Sequence, residues 1–134
     1  MAEEAHLLLL KQGVEAWARW RREQAQPRPD LSNASLRALD LAKFDLAGAD
    51  LRGADLRGAI LTGASLAGAD LTGANLFKTV LDGAELSSTR LTGVRFLNCA
   101  QLVSARNWQA AFRDPELACG GSRPPEPGGR RATA

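Results

Sequence analysis

The 134-residue chain has no tyrosine, one histidine, one methionine and two cysteines. His6 has no second imidazole with which to share a metal ion or relay a proton, so we predict no metal-binding or catalytic role for it. Cys99 and Cys119 do not form the CxxC spacing of a metal site. We find no nucleophile with a matching base and no strand-to-helix glycine loop for phosphate. We therefore predict a protein that is not an enzyme and has no cofactor.

Long apolar runs and a strong charge bias are also missing. The run from Leu7 to Leu10 follows two glutamates, lacks a basic leader and is too short to cross a membrane. Net charge is +2, and residues 30–98 hold eight acids against seven bases. This balance does not favour nucleic-acid binding. We expect a soluble cytoplasmic protein with no membrane contact.

Leucine, by contrast, recurs every fifth residue between Asp30 and Asn98. A small or apolar residue, most often alanine, stands two positions before each leucine, and glycine often stands two positions after it. Polar residues fill most positions directly before and after the leucine. The leucine positions are Leu31, Leu36, Leu41, Leu46, Leu51, Leu56, Leu61, Leu66, Leu71, Leu76, Leu81, Leu86 and Leu91, followed by Phe96.

A five-residue period fits neither regular secondary structure. In an α-helix, five residues turn through about 500°, so the leucines would scatter around the axis. In a straight strand, an odd period would send every second leucine to the opposite face. The pattern therefore predicts a short extended piece and a corner in each unit. The leucine and the small residue before it point inward, and glycine suits the corner.

The pattern resembles that of the pentapeptide-repeat family, as in Ala49-Asp50-Leu51-Arg52-Gly53 and Ala69-Asp70-Leu71-Thr72-Gly73. The resemblance covers about half the chain. It implies an all-β solenoid, a right-handed, four-sided β-helix with twenty residues per coil. Fourteen repeats give three and a half coils, roughly 17 Å tall at a strand spacing of about 4.8 Å. Cys99 falls at an inward small-residue position, so we expect it to be a buried, reduced thiol.

The segments on either side of residues 30–98 are predicted to cover the ends of this solenoid. Residues 4–24 have the pattern of an amphipathic helix, with Leu10 and Trp17 on its apolar side. Two prolines, Pro27 and Pro29, end it before the first coil. We assign residues 1–29 to an N-terminal capping helix and linker. The basic second half of the helix leaves open an alternative role on a membrane surface or a partner.

The repeat register breaks after Phe96, because Gln101 occupies the next leucine position and Leu102 arrives one residue late. We therefore expect the coils to end near residue 98. Residues 107–112 predict a short helix whose apolar face carries Trp108 and Phe112, closed by Pro115. Residues 99–118 would form a C-terminal cap. The proline- and glycine-rich segment 119–134 is predicted to be disordered, and its arginines are a weak signal for nucleic acid.

Stacking of twenty-residue coils places an acidic column on one face, formed by Asp30, Asp50 and Asp70 and ending at Arg90. Such a column could bind a cation or imitate the phosphates of DNA. We favour a solvated face, because arginines such as Arg52 stand next to the aspartates. Asp55 and Arg57 are predicted to form a second pair of this kind.

Four outward positions carry apolar residues instead of polar ones: Ile60, Phe77, Val80 and Leu97. They fall on adjacent faces and in adjacent coils, so they predict one exposed apolar patch. We expect it to be covered by a partner protein or by a second copy of the chain. The alternative is that the C-terminal segment folds over it, through Trp108, Phe112 or Leu117.

These observations favour a non-enzymatic structural or protein-interaction module of unknown process. The family resemblance implies an alternative, a modulator of DNA gyrase that imitates duplex DNA. Proteins of that kind are strongly acidic on the relevant faces. The near-neutral repeats, with Arg90 and Arg95 at two outward positions, argue against it.

Overall fold

The computed structural model describes residues 3–23 and 28–125. Its main body is a β-helix solenoid in which isolated parallel bridges join residues twenty positions apart. Each coil has four bridge positions, one for each side. The bridges of the regular coils are Asp30–Asp50, Ser35–Asp55, Asp40–Ile60, Asp45–Ser65, Asp50–Asp70, Asp55–Asn75, Ile60–Val80, Ser65–Glu85, Asp70–Arg90 and Asn75–Arg95.

The inward side chains form a narrow apolar column, as the five-residue pattern predicted. The thirteen leucines of the five-residue period, from Leu31 to Leu91, are each at most 2% exposed, and the inward alanines are also buried. Two threonines replace alanine at these positions. Their hydroxyls donate to backbone carbonyls of the coil below, Thr79 Oγ1 to Leu56 O and Thr89 Oγ1 to Leu66 O, both at 2.7 Å. The column therefore accepts a hydroxyl where a carbonyl is within reach.

The N-terminal segment forms two helices rather than the single helix predicted over residues 4–24. Helix α1 spans Glu4–Lys11 and helix α2 spans Val14–Glu23. Gly13 separates them at φ +111°, a backbone conformation that few other residues adopt. Residue 24 and Pro27 lie outside the described residues.

Both helices pack against the first coil. Leu10 and Trp17 are buried, and the ring of Trp17 lies 6.2 Å from that of Phe44, a large inward residue of this coil. Trp17 Nε1 also donates to Asp45 O at 2.7 Å. These contacts account for the apolar side of the helical segment.

The stack of coils continues beyond residue 98. Helix α3 spans Cys99–Val103, and the chain then returns to the bridge ladder as Glu85 pairs with Arg106 and Arg90 pairs with Phe112. The prediction of an end there was wrong because the last coil absorbs extra residues and its ladder continues. Leu102, one residue late in the pattern, is buried, as is Ala111.

The predicted helix over residues 107–112 is also shorter than expected. Only a single 3₁₀ turn, Trp108–Ala110, forms there, and a second one spans Pro115–Leu117. Asn107 adopts the left-handed conformation at φ +56° immediately before the first turn. Phe112 supplies a bridge position, so its backbone is extended and does not continue the turn.

The prediction that Cys99 is a reduced thiol was wrong. Cys99 is bonded to Cys119, with their Cα atoms 5.5 Å apart. The extra residues of the last coil move Cys99 out of the inward column to the start of α3. The turns after Phe112 then bring Cys119 back to the same end of the solenoid. Because Cys99 begins α3 and Cys119 lies twenty residues later, the bond fastens the C-terminal segment to the last coil.

Arg113 holds together the C-terminal segment around residues 108–122. Its buried guanidinium donates to seven backbone carbonyls and lies 5.1 Å from the ring of Trp108. Burial lowers the pKa of this arginine below its ordinary value. Two of the acceptors, Gly121 and Ser122, belong to the segment predicted to be disordered, so the first residues of that segment are held by hydrogen bonds. Residues 126–134 lie outside the described residues. The acceptors are the carbonyls of Trp108, Gln109, Ala111, Leu117, Ala118, Gly121 and Ser122.

Candidate interaction surface

The aspartates before the leucines have a structural role. In a regular repeat such as residues 69–73, four backbone N–H groups donate to backbone carbonyls. The fifth, that of the residue after the leucine, donates to the carboxylate two positions earlier, as from Thr72 N to Asp70 Oδ1 at 3.0 Å. Arg52 N, Phe77 N and other groups repeat this bond with an aspartate or asparagine. An acceptor at this position therefore completes the hydrogen bonding of the repeat.

The two predicted ion pairs are present. Arg52 Nε and Nη2 donate to the two carboxylate oxygens of Asp50 at 2.8 and 2.7 Å. Arg57 binds Asp55 with the same geometry and the same two distances. These bonds hold the pKa of the Asp50 carboxyl below its ordinary value and that of Asp55 at about 2.

The structure stacks Asp30, Asp50 and Asp70 as predicted and continues the column with Arg90. Each of the three carboxylates accepts the backbone N–H two residues later, so one oxygen of each is already bonded within the repeat. In the described part of the chain, no three histidine, cysteine or acidic side chains group together as a metal site would require. The geometry therefore favours a structural role for the acidic column.

The predicted apolar patch lies at the surface, with one change of membership. Ile60 and Val80 are each 37% exposed and Phe77 is 47% exposed. Phe96 is also outward, at 65% exposure, whereas Leu97 is partly buried against the core. The expectation that Phe96 fills a leucine position was wrong, because the register breaks there and its φ is +62°. We call Ile60, Phe77, Val80 and Phe96 the apolar patch.

Phe77 and Phe96 contact each other edge to face, with ring centroids 5.7 Å apart. Together with Leu97 they line a depression of about 580 Å³ whose other walls are Lys78, Asn98 and Gln101. Asn98 and Gln101 are held in place by a reciprocal capping box at the start of α3. The depression therefore has an apolar lining and rigid polar walls.

The described C-terminal residues do not cover the apolar patch. Trp108 packs on Arg113, and Leu117 lines a different depression with Val94 and Leu97. Phe112 forms its bridge with Arg90 on another face. The predicted fold-back of these side chains over Phe77 is therefore not found in residues 99–125.

Four cations share the face of the solenoid that carries Phe77. Arg37, Arg57, Lys78 and Arg95 occupy its outward and corner positions, while Asp55 is the single carboxylate among them. Sequence reasoning counted charge over all repeats together and missed this asymmetry. The signal was present, because the twenty-residue stacking assigns every charge to a face.

His6 holds the N-terminal helices to the first coil. Its Nδ1 accepts the backbone N–H of Asp30 at 2.9 Å, and its ring lies 4.9 Å from that of Trp20. This environment is that of a structural histidine. Across the described helices, none has the length and apolar character needed to cross a membrane.

Comparison with solved structures finds other solenoids of this kind. A pentapeptide repeat protein from the Arabidopsis thaliana thylakoid lumen is 35% identical over 63% of this chain and 50% of its own, with a TM-score of 0.41. A trypsin-treated variant of QnrB1, a plasmid-mediated fluoroquinolone resistance protein, is 22% identical over 65% of this chain and 41% of its own, with a TM-score of 0.55. A protein from the cyanobacterium Cyanothece 51142 is 29% identical over 70% and 65%, with a TM-score of 0.35.

This chain thus spans only half or less of the first two of these proteins. The comparison with curated protein sequences gives no match. The sequence profile described as pentapeptide repeats matches residues 30–66 and 59–98, which together make up half of the chain. The bridge ladder with its twenty-residue coil covers the same residues. The chain therefore belongs to the pentapeptide-repeat family, whose fold is a right-handed β-helix solenoid.

Proposed function

We propose that this protein is a non-enzymatic protein-interaction module that binds a partner through the apolar patch. One observation carries the proposal: Phe77 and Phe96, both about half exposed or more, are in ring contact, and Ile60 and Val80 are exposed one coil apart on the adjacent face, at positions that are polar in most repeats. Contiguous exposed apolar side chains of this kind mark interaction sites in soluble proteins. Pentapeptide repeat proteins generally act as structural or interaction modules, which agrees with this assignment.

The rigidity of the support adds to the proposal. Every residue of the patch except Phe96 belongs to a regular repeat whose backbone is bonded to the coils above and below. Ile60 N, for example, donates to Leu39 O at 2.9 Å, and Leu61 N donates to Val80 O at 2.8 Å. A surface that does not have to be ordered on binding loses little conformational entropy when a partner docks.

The test compares the parent chain with the double variant Phe77→Asp, Val80→Asp. Both side chains point outward, so the variant should keep the circular dichroism spectrum and thermal midpoint of the parent. A matched control, Asn33→Asp with Ser88→Asp, adds two carboxylates at exposed positions in repeats that carry no patch residue. A partner captured from host lysate and then purified should bind the parent and the control but not the patch variant.

Light scattering on the same three proteins tests self-association. A parent dimer that the patch variant abolishes would make a second copy the occupant. If every partner binds all three proteins equally and the mass never changes, the apolar patch is not a binding site and the proposal fails.

Gyrase modulation by DNA mimicry is a weaker candidate for this chain. The QnrB1 structure is too distant in sequence to indicate more than a shared fold. The acidic column is interrupted at Arg90, and Asp50 is neutralised by Arg52. We expect the purified protein to leave gyrase supercoiling unchanged, and inhibition at concentrations near that of the enzyme would revive this alternative.

The cytoplasmic location predicted from sequence stays a prediction. The bond between Cys99 and Cys119 favours an oxidising compartment instead, because such bonds persist mainly in secreted, periplasmic or lumenal proteins. Fractionation of host cells, followed by thiol labelling of the protein in each fraction, would decide between the two locations.

A further inference from the structure

We propose that the face around Phe77 binds an acidic segment of a partner protein, with an apolar side chain of that segment seated in the depression between Phe77 and Phe96. The proposal rests on the proposed function and specifies the chemistry of its partner. Three features support it: the charge around the depression, the size of the depression, and the positions of Lys78 and Phe96 relative to the Phe77 ring.

The face around Phe77 carries an excess of positive charge. Asp55 is bound by Arg57 through two hydrogen bonds of 2.8 and 2.7 Å, so this pair is close to neutral. Arg37 also lies near enough to Asp55 to lower the pKa of its carboxyl. Lys78 and Arg95, both exposed, stand next to Phe77 and Phe96 in the chain. A partner with carboxylates next to its apolar anchor would offset this charge.

The neighbouring faces do not share this excess. The face with Ile60 and Val80 carries Asp40 and Asp82 at its outward positions, against one base, Lys43, at a corner position in the described coils. At the C-terminal end, Asp114 and Glu116 line the separate depression on the far side of Leu97. Acidic groups therefore bound the cationic face on two sides, so the carboxylates of the partner should lie near Lys78 and Arg95.

The depression between Phe77 and Phe96 is large enough to hold a side chain. Its volume of about 580 Å³ is within the range of pockets that take a large side chain or a small ligand. Gln101 Nε2 donates to Leu76 O and Thr79 O at 3.0 and 2.9 Å, so the polar wall is tied to the coil below and is already formed. An aromatic or aliphatic side chain would bury the exposed ring of Phe96 without displacing either wall.

Single-stranded nucleic acid also binds basic surfaces with aromatic residues, but the ring geometry here favours a protein segment. Bases bind such surfaces by stacking on flat ring faces. Here the Nζ atom of Lys78 lies over the ring of Phe77, 5.4 Å from its centroid, and Phe96 meets that ring at 75°. No parallel platform for bases is present on this described face, whereas an aliphatic side chain can enter at such an angle.

The backbone at Lys78 supplies clean variants for the test. Lys78 holds the left-handed conformation at φ +59°, at a corner where Gly58 stands one coil below. Lys43 holds the same conformation at φ +65° at a corner off this face. Lys78→Gly and Lys43→Gly each remove one cation and relieve the same backbone strain, so both should fold at least as well as the parent.

The experiment selects random short peptides displayed on phage against the full chain and measures the affinity of the selected peptides for purified variants. We expect selected sequences with aspartate or glutamate around an aromatic or aliphatic residue. Binding should weaken about tenfold in the double variant Lys78→Gly, Arg95→Gln, and by less at high salt. Lys43→Gly should bind like the parent, and Phe77→Asp should abolish binding.

The other outcomes separate the two proposals. If the selected peptides lack acidic residues and need Phe77 but not Lys78 or Arg95, the acidic-partner inference is wrong and the proposed function stands. If no selected peptide depends on Phe77, both are wrong. If an oligothymidylate binds the parent more tightly than any selected peptide and loses affinity with Lys78→Gly, the face binds nucleic acid and the inference is overturned.

Discussion

The bond between Cys99 and Cys119 gives the sharpest test of the C-terminal structure. We consider the double variant Cys99→Ser, Cys119→Ser, or the parent treated with a dithiol reductant. The cross-link closes a loop of about twenty residues, for which the chain-entropy relation gives a stabilisation of about 3 kcal/mol. This is a large share of the stability of a domain of this size.

The loss should be local as well as global. In a solenoid each coil contacts only its neighbours, so the end that loses its tether opens before the rest. Amide hydrogen exchange should therefore speed up first in the segment around Arg113. The regular coils around Leu61 should lose less protection than that segment.

The assay combines thiol titration with urea unfolding, each with and without reductant. The unreduced parent should show no free thiol after denaturation, and reduction should lower the urea midpoint. A single variant, Cys119→Ser, should match the double variant in stability, because either change removes the bond. Two free thiols in protein purified without reductant, or equal midpoints in both states, would refute the reasoning.

The remaining predictions concern single side chains. Leu61→Lys should cost several kcal/mol in urea unfolding, because it buries a charge in the apolar column, and an unchanged midpoint would show that the leucines do not face inward. Arg113→Met should cost about 3 kcal/mol, because seven carbonyls lose a buried donor, and faster hydrogen exchange confined to residues 108–122 would locate the loss. Asp70→Ala should cost about 1 kcal/mol and Asp70→Asn much less, since only asparagine keeps an acceptor for Thr72 N; equal losses in thermal unfolding would contradict this. The folded state holds the pKa of Asp55 at about 2 against an ordinary 3.8, so stability should fall as pH drops from 3.8 towards 2, and less so in Asp55→Asn.

Much of the fold could be predicted from the sequence because the repeat is long and free of insertions. Each leucine of the five-residue period takes the same inward position, so the spacing of the bridges follows from the spacing of the leucines. The pairs Asp50–Arg52 and Asp55–Arg57 were also predictable, because side chains on either side of an inward leucine share one outward surface.

The errors concentrate where the repeat stops. Once a coil absorbs extra residues, the period no longer says which side chain points inward, and Phe96 and Cys99 were both misplaced for this reason. The pairing of Cys119 with Cys99 could not be predicted, because the segment that carries Cys119 has no repeat from which its position relative to the coils could be read. The buried position of Arg113 depends on carbonyls from three separate turns, which no local pattern indicates.

The role of the aspartates was missed for another reason. Sequence reasoning treated them as surface charge, whereas their main partners are backbone N–H groups two residues later. The preference for a short acceptor before the leucine is therefore a hydrogen-bonding requirement. Where Ile60 and Val80 take this position, the repeat has no side-chain acceptor for that bond.

The last coil shows how far the perimeter of this solenoid can vary. Its bridges join residues 21 and 22 positions apart, yet the ladder bonds remain near 3 Å, as from Leu86 N to Arg106 O. The coil thus accommodates one or two extra residues at the corner occupied by α3. A foreign loop grafted at this corner would leave the column beneath it intact, provided that Ser104 O still accepts the backbone N–H of Gly83. The solenoid could then serve as a scaffold that displays a foreign peptide at a defined position along its axis and on a defined face.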